Sequence, residues 1–335
     1  MKTMIKINQL WEELANDKSH NYGLLLRRYS STILPDIHAA YQNPEKYLCL
    51  CISINSNTEV NISNFSNLEE IQVDIVASIS DNNKKLVVFK LLNLTHKDIF
   101  AVLCEDLIAS IANEENERVL VKEILNRFEK WKSLFKKLNS NGLSAEKQRG
   151  LYGELFFLRK FLLVNEDYLT VLDTWVGPEN QVRDFQFNSW AVEVKTTIGN
   201  NHQKVRISSE RQLDSSNLEN LILYHISLEQ LQNSGESLND IILSISNILQ
   251  SDSILLMRFR SKIYEVGYFE LDRNLYDFIG YSIRNDKYYF IENEFPRIEE
   301  NDIRQGIGDV KYSIILSQCL QFIIEEKNVF EKIKI

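Results

Sequence analysis

Proline and glycine are scarce in this chain: 4 and 11 residues in 335. That argues against long linkers, disorder or low-complexity tracts, and no internal repeat is visible. Cysteine is also rare, at 4 residues, with no Cys-x-x-Cys and no Cys/His spacing that would hold zinc. Cys49 and Cys51 alternate on one face of an expected strand, while Cys104 and Cys319 stand alone; all four read as reduced core residues. No apolar run reaches the ~18 residues of a membrane span. The first ten residues carry no signal-peptide core, so the expectation is a cytoplasmic protein without membrane attachment. There is no Gly-x-Ser-x-Gly elbow, no Walker loop and no Gly-x-Gly-x-x-Gly fingerprint, so any ATP-driven step would need a partner chain.

The hydrophobic fraction, 44%, is enough for a sizeable core, and the length suggests two domains. Net charge is −9, which by itself does not point to nucleic acid. Its distribution does. Between Arg127 and Lys160 there are nine basic against three acidic residues, and between Lys195 and Arg211 four against one. Base surrounds the middle of the chain and acid lies toward its ends, as a groove tracking phosphates requires.

The middle contains Val182-Arg-Asp-Phe-Gln-Phe-Asn-Ser-Trp-Ala-Val-Glu-Val-Lys195. Alternation predicts two strands joined at Asn188-Ser189. Ala191, Glu193 and Lys195 share one strand face and Val192 and Val194 the other, with Asp184 on the partner strand. Two carboxylates and an amine there can hold Mg²⁺ and orient an attacking water. Glu-x-Lys is weak alone. An exposed cross-strand ion pair is its ordinary reading. Two competitors exist: Glu325-Glu326-Lys327, expected in a helix, and Asp309-Val310-Lys311 with Asp302 upstream, expected as a solvated strand edge.

Context favours the first site. Ser144 to Leu163 reads as a helix with Ser144 as cap and Leu151, Leu155, Leu158 and Leu162 on its apolar stripe. Tyr168 to Val176 reads as a strand, followed by the two motif strands. Lys204 to Ile207 reads as a short extended piece, Ser208 to Leu213 as a helix start and Leu221 to Leu228 as an apolar strand. The order is helix, three strands, helix, strand. Gly150 and Gly153 each cost about 1 kcal/mol in a helix relative to alanine. Their expected use is close approach of that helix to the sheet.

Gly150-Leu-Tyr-Gly153-Glu154-Leu155, Asp184, Glu193-Val194-Lys195 and Ser208-Ser209-Glu-Arg-Gln212-Leu213 together resemble the PD-(D/E)XK nuclease superfamily. More narrowly, they resemble the full-length PD-(D/E)XK motif proteins associated with restriction and anti-phage defence. The likeness extends through Phe295-Pro-Arg-Ile298 and Gly306 to Ser313. Arg183 stands where the motif name has proline. The resemblance implies Asp184 and Glu193 as metal ligands, with the Val194 carbonyl as a third. Lys195 would position water or stabilise charge, Glu154 would be an additional acid holding metal directly or through water, and Gln212 would sit beside the site.

The expected fold class is α/β (α+β): a β-rich N-terminal domain over residues 1–112, a linking amphipathic helix over 113–139, a restriction-endonuclease-like core over 140–230, and an α/β extension of that core over 231–335. Expected strands in the first part are Tyr22–Tyr29, Tyr47–Ile54, Ile71–Ser78 and Lys85–Leu92, with a helix from Lys97 to Ile111. In the last part Ser237–Gln250 and Ser253–Arg260 read as helices; Lys262–Glu270, Tyr281–Arg284 and Tyr288–Glu292 read as extended. The expected function is a Mg²⁺-dependent DNA endonuclease, with Mn²⁺ as a substitute, serving as the nuclease component of a restriction or defence assembly. Lys204, Arg206, Arg211, Lys147 and Arg149 are the expected DNA contacts, and His202 a loop residue within reach of a phosphate. Other defence subunits are expected partners, and a homodimer is left open. The alternatives are an inactive nuclease-fold DNA-binding or scaffolding subunit, and a protein-interaction module.

Overall fold

The computed structural model describes residues 6–19, 21–61, 65, 70–78, 81–137, 142–179, 181–199, 204–292 and 294–335. His202 lies outside them. The chain forms two compact units, residues 1–140 and 141–335.

The first unit contains α1 (Lys6–Asn16), β1 (Gly23–Arg28), β2 (Ile37–Asn43), β3 (Tyr47–Asn55), β4 (Ile71–Ala77), β5 (Lys84–Leu91), α2 (Lys97–Ile111) and α3 (Glu117–Lys137). Its sheet runs β1-β2-β3-β5-β4, every pair antiparallel. The sequence reading has no counterpart for α1 or β2. The β2 segment, Ile-His-Ala-Ala-Tyr-Gln-Asn, has few β-branched residues, and its burial comes from pairing on both sides. Trp11 anchors α1: its ring stacks on Phe100 and its indole N–H donates to the Cys49 carbonyl at 2.9 Å. The four cysteines are free and buried.

The second unit contains α4 (Ala145–Val164), α5 (Tyr168–Thr174), β6 (Phe185–Phe187), β7 (Trp190–Ile198), β8 (Lys204–Ile207), β9 (Asn220–Gln232), β10 (Glu236–Ser237), α6 (Leu238–Leu249), α7 (Ser253–Val266), β11 (Ile279–Phe290), β12 (Tyr312–Ile315), β13 (Ile323–Ile324) and α8 (Glu326–Lys332). The main sheet runs β10-β11-β9-β7-β6, with β13 also on β11. β6 and β7 form the expected hairpin, turned through Asn188 at φ 47°, and β7 lies parallel to β9. β8 pairs not with this sheet but with β12, in a separate antiparallel ribbon.

Ser144 caps α4, accepting from the Lys147 N–H, and Leu151, Leu155, Leu158 and Leu162 are all buried. One sheet face, including Val192 and Val194, packs into a core shared with α4, α6 and α7. The opposite face, including Ala191 and Leu223, packs against Val205, Ile207 and Ile314 of the β8–β12 ribbon. Gly153 is where α4 touches β7: a Cβ there would stand 2.3 Å from Thr196 Cγ2. Gly150 has open space at its Cβ position, so the close-approach reading applies to Gly153 alone.

Three expected elements are corrected. Tyr168–Val176 is not a strand: Tyr168–Thr174 is helix α5. The Asp167 side chain accepts from the Thr170 N–H and hydroxyl, and Val171 and Leu172 are buried, so capping and packing override the β-rich composition. Only Trp175 keeps a β-bridge, to Phe185. The helix start at Ser208–Leu213 is a single 3₁₀ turn over Glu210–Leu213. The Lys262–Glu270 stretch is not extended at its start, because α7 continues to Val266 and ends at Gly267 in the left-handed region, φ 100°.

Candidate active site

β6 is only three residues long, and its pairing with β7 stops at Phe185↔Val192. Among the described residues the β7 edge has no ladder partner on this side beyond that point. Asp184 takes the place of one: its Oδ2 accepts the Val194 N–H at 2.7 Å. In an extended strand the N–H and C=O of one residue share an edge, so the Val194 carbonyl lies on the same open edge.

Glu193 and Lys195 project from β7 and form an ion pair at 2.7 Å, with Glu193 only 1% exposed. The other oxygen, Glu193 Oε2, is buried without a hydrogen-bond partner. Gln212 Oε1 accepts from Lys195 Nζ at 3.3 Å and from the Ser208 N–H and hydroxyl at 2.9 and 3.0 Å. The 3₁₀ turn after β8 therefore restrains the lysine. Glu154 approaches from the side that α4 covers, and its Oε2 accepts the Trp175 indole N–H at 2.8 Å. Gly177 lies between the two acids: a Cβ there would stand 3.0 Å from Glu154 Oε2 and 3.4 Å from Asp184 Oδ1.

Burial governs the electrostatics. It pushes Glu193 up to about 8, with Asp184 adding repulsion. It raises Asp184 and carries Glu154 well above the carboxylate range, again with Asp184 contributing. Burial also works against the Lys195 ammonium, but Glu193 and Asp184 outweigh it and hold that pKa above the usual lysine value.

These residues open into a cleft of about 580 Å³. Its walls include Glu154, Asp184, Glu193, Val194, Lys195 and Gln212, with Thr196 and Thr197 further along β7. Arg149, Lys204 and Arg206 line it as well. Two expected DNA contacts do not. Arg211 pairs with Glu300 at 2.6 Å and lines a different cavity, and Lys147 is exposed on the first turn of α4. The Asp309 site builds no second cluster. Asp309 is exposed at φ 55°, and Asp302 accepts the Glu299 N–H, while Lys311 lines the first cleft. Lys311 is expected on a solvated strand edge, and no expectation attaches to Trp175. A tryptophan directly before the Val176-Gly177-Pro178 turn was the available signal for the latter.

Among the described residues no group of three or more His, Cys, Asp and Glu side chains is gathered tightly enough to hold a metal ion. Glu154, expected to hold metal directly or through water, has its Oε2 tied to the Trp175 indole. A hard divalent cation still fits. Asp184, Glu193 with its unpartnered Oε2, and the Val194 carbonyl are oxygen donors on one edge.

An acid pair and lysine where a short strand leaves its neighbour's edge open, backed by a helix that brings a further acid, define the PD-(D/E)XK nuclease fold. Members of that class generally hydrolyse phosphodiesters with divalent metals. The chain belongs to the family described as "Putative PD-(D/E)XK family member, (DUF4420)", whose profile matches residues 7–317. Comparison with curated proteins and with solved structures returns no match. Among the described residues no helix is long and apolar enough to cross a membrane.

Proposed function

We propose that the protein is a Mg²⁺-dependent endodeoxyribonuclease, with Mn²⁺ able to substitute, acting as the nuclease component of a restriction or phage-defence assembly. The observation that carries this is the Asp184–Glu193–Lys195 set, with Glu193 buried and the other two half-buried, at the base of a cleft lined by Arg149, Lys204 and Arg206. The defence setting is supported by the resemblance to defence-associated motif proteins.

Asp184 and Glu193, with the Val194 carbonyl, would hold the ion, and Glu154 would act through water. When bound, the ion supplies Lewis-acid polarisation of the phosphate and a more acidic water. Lys195, fixed by Glu193 and Gln212, sits where it can orient the attacking water and offset charge developing on the phosphoryl oxygens. Arg149, Lys204 and Arg206 would draw the polyanion toward a centre that is itself acidic.

A second reading is an inactive nuclease-fold DNA-binding or scaffolding subunit, for which the Arg149, Lys204 and Arg206 lining of the cleft would serve equally. Incubation with plasmid DNA in Mg²⁺, Mn²⁺ or EDTA separates the two. Metal-dependent nicking or linearisation that Asp184→Ala abolishes supports the nuclease. DNA binding without cleavage in any metal supports the scaffold.

A further inference from the structure

The β8–β12 ribbon presents two unlike faces. Val205, Ile207 and Ile314 are buried beneath it, whereas Lys204, Arg206 and Lys311 are exposed. Its register sets Arg206 opposite Ser313 and Tyr312 opposite Ile207. Lys311 is the residue immediately before β12, and with Arg206 it reaches the cleft. All three cations line the cleft above Asp184, Glu193 and Lys195. Among the described residues none of the three makes an ion pair, whereas Arg211, just beyond β8, pairs with Glu300 at 2.6 Å. On the α4 side of the cleft Arg149 likewise makes no ion pair among the described residues, where its buried Nε has no hydrogen-bond partner.

Like charges placed together on a strand pair destabilise it unless an anion lies between them. The start of β12 is also held firmly. The Val310 N–H donates to Glu210 Oε2 at 2.9 Å, and Glu210 is 5% exposed on the same 3₁₀ turn whose Gln212 holds Lys195. The backbone that carries Lys311 is thus fixed to the turn that orients the lysine of the site.

We infer that Lys311, brought in at the start of β12 from far along the chain, is a substrate-binding residue that grips the phosphodiester backbone together with Arg206. This rests on the nucleic-acid reading above. It adds that the substrate site is completed by the ribbon rather than by the helix–hairpin core alone. The contact is to phosphate, so it carries charge dependence and no sequence preference.

The test uses the full-length protein in Ca²⁺, with fluorescence anisotropy of labelled duplex DNA and duplex RNA across a salt series. Lys311→Ala and Lys311→Glu are compared with Lys327→Ala, an exposed cation on α8 outside the cleft. Lys311→Ala should bind more weakly to every DNA sequence, and the slope of log affinity against log salt should fall in magnitude by about 1. Lys311→Glu should lose more, and Lys327→Ala should match wild type. Which duplex binds more tightly identifies the nucleic acid gripped. Wild-type affinity and slope in Lys311→Ala, while wild type still cleaves or binds, would overturn this inference and leave the nuclease reading standing. No binding of either duplex by the wild-type protein would overturn both.

Discussion

Trp175 and Glu154 are joined by a 2.8 Å hydrogen bond from indole N–H to carboxylate, and the Trp175 carbonyl in turn accepts from the buried Lys262 ammonium at 2.6 Å. Removing the donor leaves Glu154 beside Asp184 with one less stabilising contact, and its pKa rises further. Trp175→Phe should therefore shift the acidic limb of the cleavage pH–rate profile to higher pH, with a stability cost of about 1–3 kcal/mol. An unmoved limb with the same stability loss would assign Trp175 to packing alone.

Asp184→Ala and Glu193→Ala should each lower metal-dependent cleavage by about 10³ or more, since each removes charge at the metal rather than from the apolar core. Circular dichroism should report an unchanged fold. Asp309→Ala should cleave at the wild-type rate. Wild-type rates in both acid variants would point to a different site.

The buried acids also set a pH dependence of stability. Their folded pKa values are raised, Glu193 to about 8, so the folded chain keeps protons that the unfolded chain releases. That stability is present below the ordinary carboxylate range and is lost as pH rises toward 8. In EDTA, Tm should fall across this window, and Glu193→Gln should flatten the fall. Added Mg²⁺ should raise Tm more at pH 8 than at pH 6, because binding expels protons from its ligands.

Gly153 and Gly150 should respond oppositely to alanine. A Cβ at Gly153 runs into Thr196 Cγ2, and Gly153→Ala should cost about 1–3 kcal/mol by forcing α4 off β7. Gly150→Ala meets nothing and should stabilise by about 0.5–1 kcal/mol through helix propensity. Thermal melts of the two variants read the difference directly.

Part of this site was legible before any fold. Period-two alternation is a local property, so the face shared by Glu193 and Lys195 could be read from the strand itself, and the α4 stripe from its leucines. Tyr168–Thr174 misled because its composition favours strand, and only the Asp167 cap and burial of Val171 and Leu172 make it helical. Lys262 misled similarly: it looked like the start of a strand, but it sits buried on α7, held by Trp175 and Glu179.

Local patterning was enough for the helix that carries Glu154, the hairpin that carries Asp184, Glu193 and Lys195, and the excess of base around them. Which groups meet depends on long-range packing. β6 ends early and lets Asp184 take the Val194 N–H, Trp175 turns back to Glu154, and β12 pairs with β8 so that Lys311 joins the cleft. The Glu210–Val310 bond spans 100 residues. Contacts at such separation leave no periodicity in the sequence, because they are chosen by burial of the ribbon's apolar face against the sheet and not by any preference of the neighbouring chain.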